Sequence, residues 1–167
     1  MTGPIEGTVR IVTRSAAETR ALAADLAVAA RPGDRIALRG ELGVGKTQFA
    51  KGFAFGLGIT EVVMSPTFTL MAEYAGRLPL FHLDLYRVSG LAEAYEGGLL
   101  DERQGEGVTI IEWAERLDPV VDPERLEVAL VAGSGAEDRT IAIGPALPRY
   151  AAYLERARAW APPPQRR

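Results

Sequence analysis

The sequence has no cysteine, so it forms no disulfide, and its only histidine is His82, so an ordinary Cys/His zinc site is excluded as well. Asparagine is also missing, and with it the Asn-Lys-x-Asp motif by which a guanine-specific GTPase reads its base. No stretch of about 18 uncharged apolar residues occurs, so no membrane-spanning helix is expected. Residues 1–18 hold no apolar run of the signal-peptide kind, which makes the cytoplasm the expected compartment. A basic excess is lacking too: net charge is −3 and the pI about 5.3. Because neutralising phosphates supplies most of the affinity for nucleic acid, any such role is expected to be indirect, through a partner. Lysine is scarce: of 19 basic residues only Lys46 and Lys51 are not arginine.

What is present fits one folded domain. The 167 residues, 47% of them apolar and 25% charged, are enough for an independent core. A single domain is expected over 1–161, with a frayed proline-rich tail at 162–167. Residues 8–13 alternate like a strand. Ser15 and Glu18 have the spacing of a capping box, opening an Ala/Leu-rich helix that runs to residue 30. After a turn at 31–34, residues 35–39 read as a buried strand. Phe49, Phe53 and Leu57 recur at i,i+4 and mark the inner face of a helix that stops at Gly56 and Gly58. Residues 68–74 and 78–86 predict one hairpin, and 126–131 with 140–143 another. Residues 89–100 predict a short helix, 104–107 a polar loop, 108–111 a buried strand, 113–117 a short helical segment and 150–160 a final helix. Interleaved strands and helices with some antiparallel pairing predict a three-layer α/β fold of P-loop NTPase type, with a mixed, partly antiparallel sheet.

Gly40-Glu41-Leu42-Gly43-Val44-Gly45-Lys46-Thr47 matches the phosphate-loop pattern G-x-x-x-x-G-K-[ST], between a strand and an amphipathic helix as the motif requires. Glycines let successive backbone N–H groups turn toward phosphates, and the helix start adds its positive dipole end. Lys46 supplies a compact ammonium where a planar guanidinium does not fit. The Thr47 hydroxyl is placed to ligate Mg²⁺. Two strand ends offer the carboxylate that such a metal needs. Residues 108–111 end in Glu112, a Walker B pattern with Glu for Asp, and residues 80–83 end in Asp84. Period-2 geometry puts His82, Asp84 and Tyr86 on one side of that strand and Phe81, Leu83 and Leu85 on the opposite, core side. The plainer alternatives are a helix-capping Glu112, an Asp84 paired with Arg87, a structural His82 and a Trp113 that belongs to the core. Thr67, in Ser65-Pro66-Thr67, is a candidate to reach the terminal phosphate or its attacking water; the alternative is a turn entering a strand. The missing base-reading motif favours ATP over GTP. A small-molecule P-loop kinase and a nucleotide-binding scaffold without turnover remain alternatives; a lid arginine between residues 89 and 107 is offered only by Arg103.

GELGVGKT at 40–47, SPTFTL at 65–70, HLDLYR at 82–87 and IIEWAERL at 110–117 resemble, in the same order, the motifs of the TsaE (YjeE) family of bacterial ATPases of tRNA threonylcarbamoyladenosine (t6A) synthesis. The resemblance spans residues 15–117. It implies a compact P-loop fold and work with two partner proteins, TsaD and TsaB, which modify adenosine 37 of tRNA while ATP hydrolysis by the TsaE-type subunit supports turnover. It also implies that tRNA is met only through that complex. Carried over by motif, Thr47 and Glu112 would ligate Mg²⁺, and Lys46 with the amides of Glu41 to Gln48 would hold phosphates. Asp84 and Thr67 would act near the terminal phosphate, and Trp113 would lie close to the nucleotide. The family often has a second threonine where this chain has Gln48. With no obvious internal arginine finger, hydrolysis by the isolated chain is expected to be slow.

Overall fold

A computed structural model describes residues 7–66, 69–89, 101–116 and 124–164. Seven strands form one mixed sheet. In chain order they are β1 (Val9–Thr13), β2 (Arg35–Arg39), β3 (Met71–Tyr74), β4 (Leu80–Asp84), β5 (Val108–Glu112), β6 (Leu126–Ala132) and β7 (Arg139–Gly144). Their spatial order is β1-β7-β6-β2-β5-β4-β3. The four inner strands β6, β2, β5 and β4 run parallel, while β1, β7 and β3 pair antiparallel at the flanks. Parallel strands are buried on both faces, and β4 and β5 are buried throughout.

Three α-helices are described: α1 (Ala16–Ala27), α2 (Lys46–Gly56) and α3 (Ala151–Ala159). All three contribute to one apolar cluster, built on Leu22, Leu26, Phe49, Phe53, Tyr153 and Leu154 against Ile36, Leu38, Ile110, Val128 and Ile141 of the sheet. Phe81, Leu83, Leu85, Ile111 and Ala114 form a smaller cluster on the other side. α1 and α2 pack closely because α2 carries Gly52 and Gly56, where a Cβ would meet the backbone of Arg20 and of Ala24.

Ser15 Oγ accepts from the Glu18 amide (3.1 Å) as a helix N-cap, but Glu18 reaches back to the amide of Arg14 (2.8 Å), one residue before the position a capping box uses. α1 ends at Ala27, short of the expected residue 30. Ala29 and Ala30 tighten into i→i−3 bonds, and Arg77 Nη2 takes the carbonyls of Ala27 and Ala30 at 3.0 and 3.2 Å. The expected polar loop at 104–107 is largely a 3₁₀ turn, Glu102–Glu106, capped by Asp101, with Gln104 buried. Its Oε1 accepts from Arg35 Nη1 at 2.9 Å.

The expectation of one core side and one other side for β4 is corrected. Both sides are buried, because α1 and α2 cover the side carrying Leu80 and His82 while the smaller cluster covers Phe81 and Leu83. The expected helix at 89–100 falls almost entirely outside the described residues, as do Thr67 and residues 165–167.

Candidate nucleotide and metal site

The parallel strands β2, β5 and β4 point their C-terminal ends at one cavity of about 430 Å³, the location where open α/β sheets place ligands. β2 delivers the glycine loop there, and α2 starts at Lys46. Gly40, Gly43 and Gly45 have φ of 147°, 78° and 114°. At Gly40 no other residue fits, since a Cβ would lie 2.6 Å from Val44 Cγ1 and 2.7 Å from the Leu130 carbonyl oxygen. The loop is also held from outside: Arg139 Nε, on β7, donates to the Val44 carbonyl at 2.7 Å.

Leu42, Gly43, Gly45, Lys46, Thr47 and Gln48 all line the cavity. Glu41 and Val44 do not. Glu41 is exposed and its carbonyl accepts from the Val44 amide (3.2 Å), while the Val44 side chain turns into the core. Neither side chain faces the cavity, and the Val44 amide and carbonyl are both engaged in holding the loop. The Gln48 side chain is engaged elsewhere, its Oε1 accepting from Arg20 Nη1 at 2.6 Å. Lys46 is buried; its Nζ donates to the Gly40 carbonyl (2.6 Å) and sits 4.0 Å from the centre of the Trp113 ring.

The two strand-end acids meet through sheet register. β4 and β5 pair so that Asp84 lies beside Glu112 and His82 beside Ile110, all on the α2 side. Both carboxylates are buried yet line the cavity. Ser65 stands between them, its Oγ 3.1 Å from Asp84 Oδ2 and 3.0 Å from Glu112 Oε2, so its one proton serves either acid. Asp84 Oδ1 accepts from the Tyr86 amide at 3.0 Å. His82 Nε2 lies 3.0 Å from Glu112 Oε2. Burial pushes the Glu112 carboxyl up, but the hydrogen bond and charge of His82, the Ser65 hydroxyl and the Lys46 ammonium outweigh it, and Glu112 titrates below the usual carboxylate range. It is an ionised, oriented carboxylate.

Trp113 is half-buried, packs on the smaller cluster and also lines the cavity, with its ring 4.9 Å from that of Tyr86. Its φ of 60° is unusual for a bulky side chain and marks strain beside Glu112. Tyr86 and Arg87 line the cavity as well. Sequence reasoning missed Arg87 as a cation of the cavity, Ser65 as the hydroxyl between the acids and Arg139 as the clamp on the loop. Arg87 follows Asp84 by three residues and Ser65 opens the same motif as Thr67, so both stood within quoted motifs. Nothing local in the sequence marks Arg139.

Strand, glycine loop, helix and a strand-end carboxylate on the adjacent parallel strand define a P-loop nucleotide-binding protein. Comparison with known proteins is more specific. A family model described as "Threonylcarbamoyl adenosine biosynthesis protein TsaE" matches residues 13–141. The tRNA threonylcarbamoyladenosine biosynthesis protein TsaE of Bacillus subtilis (strain 168) is 43% identical over 139 residues, covering 83% of this chain and 86% of the relative. Its namesake in Treponema pallidum (strain Nichols) is 39% identical over 135 residues, covering 80% and 100%. The crystal structure of Bacillus subtilis YdiB superposes with a TM-score of 0.73 at 37% identity, covering 94% of this chain and 98% of that one. The chain belongs to the TsaE family.

Proposed function

We propose that this chain is a Mg²⁺-dependent ATPase, an accessory subunit of the machinery that installs the t6A modification at adenosine 37 of tRNA, where its ATP turnover supports a TsaD–TsaB pair. The observation that carries this reading is the convergence of the glycine loop, Lys46 and Thr47 with the paired acids Asp84 and Glu112 on one cavity.

The residues fit a magnesium polyphosphate. The positive-φ glycines leave loop amides without side chains in front of them, and the first turn of α2 has N–H groups with no intrahelical acceptor. Lys46 is held by a neutral carbonyl and a ring face, not by a carboxylate, so moving to a phosphate breaks no ion pair. Among the described residues the cavity's side-chain charges balance, Lys46 and Arg87 against Asp84 and Glu112, so a metal would help offset the phosphates' charge. Thr47 and Glu112 would hold Mg²⁺, which would neutralise part of the phosphates' negative charge. Asp84 would orient the attacking water, and Thr67 is its candidate helper from the motif. Trp113 and Tyr86 wall the cavity and keep bulk water off the phosphates. An acidic chain without a net basic excess suits a subunit that meets tRNA only through its partners.

Phosphate release by the purified chain, alone and with TsaD and TsaB, tests the proposal. Slow release alone, stimulated by the pair, is the expected result. Lys46→Ala should weaken ATP binding by about 100-fold, near the upper value of a charge-assisted bond at ~1.4 kcal/mol per decade. Transfer to a small metabolite instead of water would point to a kinase, and unchanged ATP affinity in Lys46→Ala would remove the phosphate cradle.

A further inference from the structure

His82 is fully buried on β4 between apolar neighbours, on a side of the sheet shared with Leu80 and Ile110. A polar ring in such a place is a cost to the core unless it is fully hydrogen-bonded. His82 is only half satisfied: Nε2 meets Glu112 Oε2 at 3.0 Å, while Nδ1 is buried without a hydrogen-bond partner among the described residues. What gains from the arrangement is Glu112. At that distance a carboxylate oxygen takes the acceptor's part and the ring the donor's, which places the hydrogen on Nε2. The Ser65 hydroxyl approaches the same Oε2. Both contacts fall on one oxygen. Oε1, on a residue that lines the cavity, accepts no hydrogen bond among the described residues.

We propose that His82 is a positioning residue for the metal: its Nε2–H pins Glu112 Oε2 and leaves Oε1 as the oxygen offered to the divalent cation that accompanies the nucleotide. This rests on the nucleotide–metal reading of the cavity. His82 touches neither nucleotide nor metal. It acts as the outer partner that fixes a metal-binding carboxylate, a role whose loss lowers metal affinity without dismantling the phosphate cradle.

The test is calorimetric binding of a slowly hydrolysed ATP analogue, first in chelator and then with Mg²⁺, to the wild type, His82→Leu and His82→Gln. In His82→Leu the chelator affinity should stay within about twofold, while the gain from Mg²⁺ falls roughly 10-fold or more; His82→Gln, which keeps a donor, should recover most of it. A folded His82→Leu with the full Mg²⁺ gain overturns the proposal. Wild-type protein that binds the analogue with no Mg²⁺ gain, or not at all, instead overturns the metal or the nucleotide reading beneath it. Should His82→Leu fail to fold, the wild type still decides. With one histidine in the chain, ¹⁵N-histidine labelling gives one Nδ1 and one Nε2 signal. A proton on Nε2, with both signals shifting when Mg²⁺ joins bound nucleotide, is expected. A proton on Nδ1 with none on Nε2, or signals indifferent to Mg²⁺, overturns the assignment.

Discussion

Buried carboxylates stand at both ends of the inner strands, and the protein treats the two ends in opposite ways. Asp34, just before β2, is fully buried and closed off. Its Oδ2 accepts from the Arg31 amide (2.8 Å) and the Tyr153 hydroxyl (2.6 Å), and Arg149 Nη2 lies 3.0 Å from Oδ1. Burial, then the hydrogen bond and charge of Asp34, push the Tyr153 hydroxyl well above its usual range, which keeps it a donor to Asp34 at neutral pH. Neighbouring Tyr150 ties the same end together, accepting from the Arg35 amide and donating to the Glu124 carbonyl. At the other end Glu112 and Asp84 share one hydroxyl and face a cavity. There the backbone holds positive φ at Trp113 and Leu70. Burial of an acid does not distinguish a site from a staple here, since both ends have it. The distinction lies in what stands in front: donors from around the start of α3 at one end, an open cavity with strained backbone and a lysine held by neutral groups at the other.

That contrast can be broken by mutation. The larger effect is expected at the closed end. Tyr153→Phe removes a donor from a buried charge and should lower the unfolding free energy by about 1.5–3 kcal/mol in urea titrations, with nucleotide affinity unchanged. Lost nucleotide binding in a folded Tyr153→Phe protein would mean the two ends are coupled. A smaller, pH-dependent effect is expected at the open end. Because the folded carboxyl of Glu112 titrates below its unfolded value, its ionisation adds stability that is complete above roughly pH 4.3 and is lost as pH falls through the lower folded value. The stability difference between the wild type and Glu112→Gln should therefore hold from neutral pH down to about pH 4.3 and shift against the wild type on further acidification. A difference independent of pH, or shifting the other way, would contradict an ionised Glu112.

Local chemistry made much of this legible. Gly40 to Thr47 announce themselves by composition and by the strand and helix around them, and the antiparallel pair β3–β4 follows from its short connection. Glu112 and Asp84 were each visible as strand-end acids. Their adjacency was not, because parallel pairing of β4 with β5 joins segments far apart in sequence and only the register sets Asp84 beside Glu112. The same non-locality hid Arg139, whose hold on Val44 spans 95 residues, and the role of Ser65, which acts on acids from two other segments. His82 was read on a side of β4 away from the core, because alternation says which residues share a side and not what covers it.

The most direct measurement is a crystal structure with a slowly hydrolysed ATP analogue and Mg²⁺. Phosphates cradled by residues 40–47, with the ion between the Thr47 hydroxyl and a Glu112 oxygen, is the predicted result. Nucleotide bound elsewhere, or an ion held without either residue, would contradict it.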